Sequence, residues 1–189
     1  RSHSTFFGPG EIYVKQLPDG DPVRLTNDGS NKMGPRFTPD GAYVTYTIFR
    51  SLSMETWAVP VLGGQPARLL MGNAEGLTSL PANGGHKQVL FSEMTGRDVQ
   101  MGIVTSTETR GDHRIVYMPP ETGMAHRSYL SPDRQNVIVV EMDYYSWLPC
   151  RLVPFDGSAD GRAVGPSPAQ CTDAAWSPDG KWMLVANQN

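Results

Sequence analysis

No stretch of this chain approaches the ~20 apolar residues that a helix needs to cross a bilayer. No leader-like segment opens it, and its first residue is Arg1 rather than Met, so the expectation is a processed or excised piece of something longer. The net charge is −3 and no basic stripe is present, which removes the electrostatic footprint of a nucleic-acid binder. Only two cysteines occur, Cys150 and Cys171, with no CxxC pair and no His/Cys cluster, so no structural zinc is expected. Two half-buried thiols are the ordinary reading of such a pair. A disulfide is the alternative if the chain sits outside the cytoplasm.

Signs of chemistry are equally scarce. There is no Gly-rich phosphate loop, no GxSxG elbow, no HExxH and no His-Arg-Asp or Asp-Phe-Gly triplet. No catalytic residue, metal ligand or cofactor is therefore assigned. Helical periodicity is missing as well.

Turn formers are plentiful: 20 glycines and 16 prolines in 189 residues. They recur in order. "PRFTPDGAYVTYT" begins at Pro35, "SYLSPDRQNVIVV" at Ser128 and "AAWSPDGKWMLVA" at Ala174, and a degraded copy, "TSLPANGGHKQVLFS", begins at Thr78. The first inward apolar residues after these turns are Val44, Val89, Val137 and Met183, spaced by 45, 48 and 46 residues. A fixed period of this size marks a propeller or solenoid array.

Each Pro-Asp-Gly step reads as a hairpin tip. Proline presets φ, aspartate bonds nearby backbone, and glycine accepts positive φ, which together suggest a three-residue hairpin loop. The turn residues are Pro39, Asp40 and Gly41, then Pro132 and Asp133, then Pro178, Asp179 and Gly180. Their aspartates tempt a carboxylate set, but identical turns spaced around an array argue for a structural role. A second hairpin follows each first one, as in "ETWAVPVLGGQPARLL" and "PCRLVPFDGSADGRAV". Two hairpins per period make one four-stranded blade, with strands A to D in order. The expectation is one all-β propeller domain or propeller fragment over 1–189. Its blades are 34–70, 76–118 and 126–165, with a C–D half blade at 11–27 and an A–B half blade at 172–187.

"AAWSPDGKWMLVA" and "EIYVKQLPDGDPVRLTNDG" resemble the PD40, or TolB-like (WD40-like), propeller repeat family over essentially the whole chain. Blade two lacks the Pro-Asp-Gly step, and Arg134 stands where that family has glycine. More narrowly, "TWAVPVLGGQPARLL", "GMAHRSYLSPD" and "WLPCRLVPFDG" look like the propeller region that follows bacterial serine/threonine protein kinase domains. That resemblance implies a non-enzymatic sensor or accessory module, extracytoplasmic, binding a protein or small-molecule ligand. An enzyme or enzyme-gating propeller, associated with a peptidase or lyase, is the alternative, and a pure scaffold is a third reading.

In propellers of this type the A strand lines the channel, so A-strand starts and B-strand ends meet at one mouth. Counting back from the turns gives Met33 and Gly34, Glu75 and Gly76, His126 and Arg127, Thr172 and Asp173. B-strand ends add Arg50, Glu93, Glu141 and Asp143. These charged groups are the candidate binding residues, the alternative being that they merely solvate a channel. Tyr144, Tyr145 and Trp147 fall in a B–C connection on the same face, as a recognition surface or as a cap on the blade. Trp57 and Trp176 read as core between blades. His3, His86 and His113 read as solvent-facing. The two half blades are complementary, which raises a homodimer closing an eight-bladed ring.

Overall fold

The computed structural model describes residues 10–50, 53–64, 67–83, 85–95, 100–166 and 170–188. Every regular element among them is a β-strand, so the all-β expectation holds; His3 lies outside the described residues. The chain divides between Lys87 and Gln88 into two compact units.

In the first unit, β1 (Tyr13–Val14) and β2 (Val23–Arg24) form a short antiparallel hairpin. An antiparallel sheet follows in chain order: β3 (Lys32–Phe37), β4 (Tyr43–Arg50), β5 (Ser53–Pro60) and β6 (Arg68–Gly72). The central β4 buries Val44, Tyr46 and Ile48, with Ile12 and Val59 against them and Leu25 and Trp57 at the margin. Ile12 and Leu25 flank the first hairpin, and they seat it on this core. β7 (Glu75–Asn83) lies against β3, β4 and β5.

The second unit carries β8 (His86–Thr95), whose first two residues precede the division, then β9 (Gln100–Thr107) and β10 (Arg114–Tyr117), paired antiparallel in that order. Next come β11 (Met124–Leu130), β12 (Asn136–Met142), β13 (Arg151–Pro154) and β14 (Arg162–Ala163), again antiparallel in chain order. One parallel pair, Met101 with Met124, joins β9 to β11. β15 (Gln170–Trp176) and β16 (Met183–Gln188) make a two-stranded sheet. Among the described residues the sheets are not closed.

The three Pro-Asp turns are built alike. In the first, Thr38 donates its hydroxyl to Asp40, and Asp40 accepts the Ala42 amide. The Thr38 hydroxyl oxygen in turn accepts the Tyr43 amide. Ser131 with Asp133 and Ser177 with Asp179 repeat all three bonds. The ladder closes where the Thr38 amide donates to Tyr43, leaving four loop residues rather than the three expected. Side-chain bonds from Thr38 and Asp40 stand in for backbone pairing and accommodate the fourth. Gly41 and Gly180 sit at φ 67° and 71°, and Arg134 holds the same left-handed position at φ 60°.

The cysteines correct the thiol reading. Cys150 and Cys171 form a disulfide, with Cα atoms 5.2 Å apart. The cause is packing: Ile138, Val140, Val164 and Ala174 bury both cysteines in one cluster. The Cys171 amide also donates to the Leu148 carbonyl, which brings the loop before β13 alongside the start of β15.

Candidate functional site

The starts of the A-type strands share an irregularity. The pairing register shifts between Met33 and Arg36 in β3, between Ala125 and Arg127 in β11, and between Cys171 and Asp173 in β15. Each shift is a β-bulge, which bends the strand and re-aims side chains. Gly34 at φ 55° and Gly76 at φ 65° provide the left-handed backbone at the matching points of β3 and β7. Three of the four residue pairs counted back from the turns thus fall on bulges. Gly34-Pro35 was the one visible hint, since neither residue suits an uninterrupted ladder.

In the second unit the bulges set up a polar joint between β11 and β15. Arg127 is buried and donates to the Thr172 carbonyl at 2.7 Å, with Asp173 3.8 Å away. Asp173 also accepts the Tyr129 hydroxyl, and the Trp176 ring N–H donates to the Tyr129 carbonyl at 2.8 Å. His126, the bulged residue, meets the Trp147 ring edge-on at 5.5 Å.

The two glutamates at B-strand ends face inward partners. Glu141 is 2% exposed and accepts from the Tyr117 hydroxyl and the Arg151 guanidinium, each at 2.7 Å. Burial first, and then the Glu141 carboxylate, push the Tyr117 hydroxyl up. Burial works against the Arg151 charge, but Glu141 outweighs it and the guanidinium is raised. Glu93 accepts from Arg110, which also stacks over Phe91, and pairs with His113 at 2.8 Å. His113 is exposed as expected and is paired with Glu93 as well. Arg110 and Asp112 both take left-handed backbone, at φ 66° and 49°, and this folds the β9–β10 loop back onto Glu93. His86 is exposed as expected.

The loop after β12 divides its aromatics. Asp143 accepts the amides of Tyr145 and Ser146 and the Ser146 hydroxyl, and these bonds hold its carboxyl below the usual range. On this braced turn Tyr144 is 58% exposed and Tyr145 92% exposed, with rings 5.9 Å apart. Trp147 instead packs on the cluster around the disulfide. One aromatic caps the sheet; two face solvent.

In the first unit Glu75 is buried at the start of β7, and the neighbouring Gly76 amide donates to Thr47. Arg50 is exposed and lies 3.8 Å from Glu55. Arg36 donates to Thr78 at 3.0 Å. Sequence reading missed a polar knot here. Lys32 has a side chain 1% exposed and donates to Glu11, Asp28 and the carbonyls of Gly10 and Ser30. Burial would raise Glu11, but bonds from Thr26, the Gly29 amide and Lys32 hold it at about 2. The Tyr46 hydroxyl, pushed up to about 12 by burial and then by Asp28 and Glu11, has no hydrogen-bond partner among the described residues. Among those residues no three His, Cys, Asp or Glu side chains are grouped to hold a metal. No helix there is long and apolar enough to cross a membrane.

No protein-family model matches the chain. Over 156 residues it is 28% identical to tricorn protease homolog 2 of Streptomyces coelicolor, covering 66% of this chain and 13% of that protein. Its fold is similar to a TolB of Agrobacterium tumefaciens (TM-score 0.69, 16% identity), covering 96% of this chain and 64% of that one. A TolB of Acinetobacter baumannii gives TM-score 0.64 at 16% identity, covering 93% and 42%. A chain of a nidogen/laminin complex gives 0.65 at 14%, covering 94% and 64%. At these identities the likeness is one of fold. The chain has a TolB-like propeller fold, in keeping with the PD40/TolB-like resemblance, and spans only part of each of these relatives.

Proposed function

We propose that this chain is a non-enzymatic binding module of four blade equivalents: 34–70, 76–118, 126–165, and a fourth divided between 11–27 and 172–187. In the same reading two chains combine, the 11–27 half blade of each completing the 172–187 half blade of the other. The observation that carries binding is the pair Tyr144 and Tyr145. Exposed aromatics on a turn fixed by Asp143 offer large contact area at little ordering cost, which suits recognition of a protein. His126, Arg127 and Asp173, together with Glu75, Glu93, Glu141 and Arg50, are the polar residues we assign to that face.

The sequence resemblance to kinase-linked propellers supports a sensor or accessory role beside a bacterial serine/threonine kinase domain. The Cys150–Cys171 disulfide supports an extracytoplasmic setting, because reducing compartments do not sustain structural disulfides. The similarity to a tricorn protease homologue favours a second reading, a propeller that gates a peptidase. The encoding gene separates them. A kinase domain and a membrane span before this segment support the first, and a hydrolase domain after it supports the second. An immobilised-protein screen against peptides and metabolites tests the face itself. Tyr144→Ala and Tyr145→Ala should each weaken binding about tenfold. Unchanged binding in both would remove the aromatic pair from the site.

A further inference from the structure

Arginine set against both an aromatic ring and a carboxylate recurs in the second unit. Beside β8, Arg110 lies over the Phe91 ring, 5.1 Å from its centre, and donates to Glu93. Beside β12, Arg151 lies over the Tyr117 ring at 5.4 Å and donates to Glu141 at 2.7 Å. A guanidinium suits both partners at once: its flat face stacks on the ring while its N–H groups meet the carboxylate. Two residues beyond Glu141 the acid and the rings occur again, without the arginine. The Oδ1 atom of Asp143 accepts the Tyr145 and Ser146 amides and the Ser146 hydroxyl, and no hydrogen bond reaches Oδ2 among the described residues. Tyr144 and Tyr145 follow it, both largely exposed, with rings 5.9 Å apart and inclined by 39°. No cation lies over either ring among the described residues.

The β12–β13 hairpin does not supply the cation. No Lys or Arg occurs between Arg134, at the opposite end of β12, and Arg151, which is paired with Glu141. Arg127 of β11 is engaged by the Thr172 carbonyl. The turn also sits within its unit, with strands on both flanks. β11 of the same sheet pairs with β9 on one side, and on the other Ile138 and Val140 of β12 pack with Cys171 and Ala174 of β15. With those neighbours in place the two tyrosines still face solvent. We infer that the Asp143–Tyr144–Tyr145 turn takes an arginine side chain presented by a protein partner, its guanidinium stacking on the tyrosine rings and donating to Oδ2 of Asp143. This rests on the binding role given to the tyrosines above and names the chemistry of what they bind. The amide bonds from Tyr145 and Ser146 that fix the turn also hold Asp143 ionised, so charge and shape are set before the partner arrives.

The test is a nuclear magnetic resonance titration with acetyl-Gly-Arg-Gly-amide, taken to about 10 mM, the range in which a single side-chain contact is measurable. Saturable shifts are expected at the Tyr144 and Tyr145 rings and at the Ser146 amide. The same peptide with citrulline, which keeps the shape and loses the charge, should bind about tenfold more weakly. Asp143→Asn keeps the Oδ1 acceptor that braces the turn and removes the charge, and it should weaken the arginine peptide severalfold. Equal binding of the citrulline peptide overturns the inference, and that arm needs no variant to fold. Undiminished binding by Asp143→Asn overturns it as well, as does the absence of saturable shifts at the two tyrosines. The titration is repeated in the full-length gene product, where loss of binding would show that other chain occupies the turn and would also overturn the inference. A partner found by the peptide and metabolite screen separates the two levels. If Tyr144→Ala weakens it while replacing its arginines does not, only the arginine inference fails. If neither tyrosine variant weakens any partner, the binding role fails with it.

Discussion

β12 and β16 follow the same Ser-Pro-Asp turn and carry similar apolar residues, yet one is sealed and the other is open to solvent. The difference lies outside both strands. β12 is covered because β13 extends its ladder, from Asn136 opposite Pro154 to Val139 opposite Arg151, and Leu152 packs over it. β16 has no such neighbour among the described residues. Strand propensity here records where a strand belongs, and the next hairpin decides whether its surface is buried. The two terminal hairpins differ in the same instructive way. β1–β2 is tied to its unit by the Lys32 knot, and β15–β16 by the disulfide and the Arg127 joint.

Cavity formation gives the largest contrast. Ile138→Ala should cost about 3–4 kcal/mol in denaturant unfolding, as expected for a sealed core position. Leu184→Ala in the isolated chain should stay within about 0.5 kcal/mol. A cost at Leu184 that grows with protein concentration would show that a partner covers β16. Equal, concentration-independent costs would erase the distinction between the strands.

Removing the disulfide by Cys150→Ser with Cys171→Ser should cost about 3 kcal/mol, in line with a loop of 21 residues. Hydrogen exchange should rise first in β15 and β16, with β11 and β12 still protected. Uniform loss would mean that the bond stabilises the whole unit and not the hairpin.

Acid should act on the other hairpin. Glu11 is lowered from 4.5 to about 2, so its contribution is complete above 4.5 and is lost as pH falls towards 2. The first unit should loosen over that window, and Glu11→Gln should flatten the response in an acid titration followed by hydrogen exchange at Ile12 and Leu25. The smallest effect is at the turns. Arg134→Gly should stabilise by about 0.5–1 kcal/mol, since glycine takes the left-handed position without a Cβ clash. Thermal unfolding at or below that of the parent would show that Arg134 makes a compensating contact.

The turns and strands were legible because their signals are local. Thr38, Asp40 and Gly41 lie within four residues, and so do Ser177, Asp179 and Gly180. What escaped depends on chain segments that meet only after folding. Nothing near Lys32 announces that Glu11 will reach it, because the meeting requires the β1–β2 hairpin to sit on β4. Cys150 and Cys171 pair because the loop after β12 returns across β15. The pairing of His113 with Glu93 escaped because two non-glycine residues in left-handed conformation were not foreseeable from "TRGDHR". The candidate face was read only as a list of positions. Its bulges and the split between Trp147 and the two tyrosines are three-dimensional facts.

The position of the disulfide also determines how the end of the chain bears load. A pull applied beyond Gln188 meets the pair Gln188–Gln170 first and unzips β16 from β15 one rung at a time, a weak direction for a hairpin. The peeling cannot run on into the rest of the unit, because tension reaching Cys171 passes through the covalent bond into Cys150. Residues 172–188 are thus a tether of fixed length, about 60 Å when extended. Whatever is attached there can draw away by that distance while Cys171 stays held at Cys150.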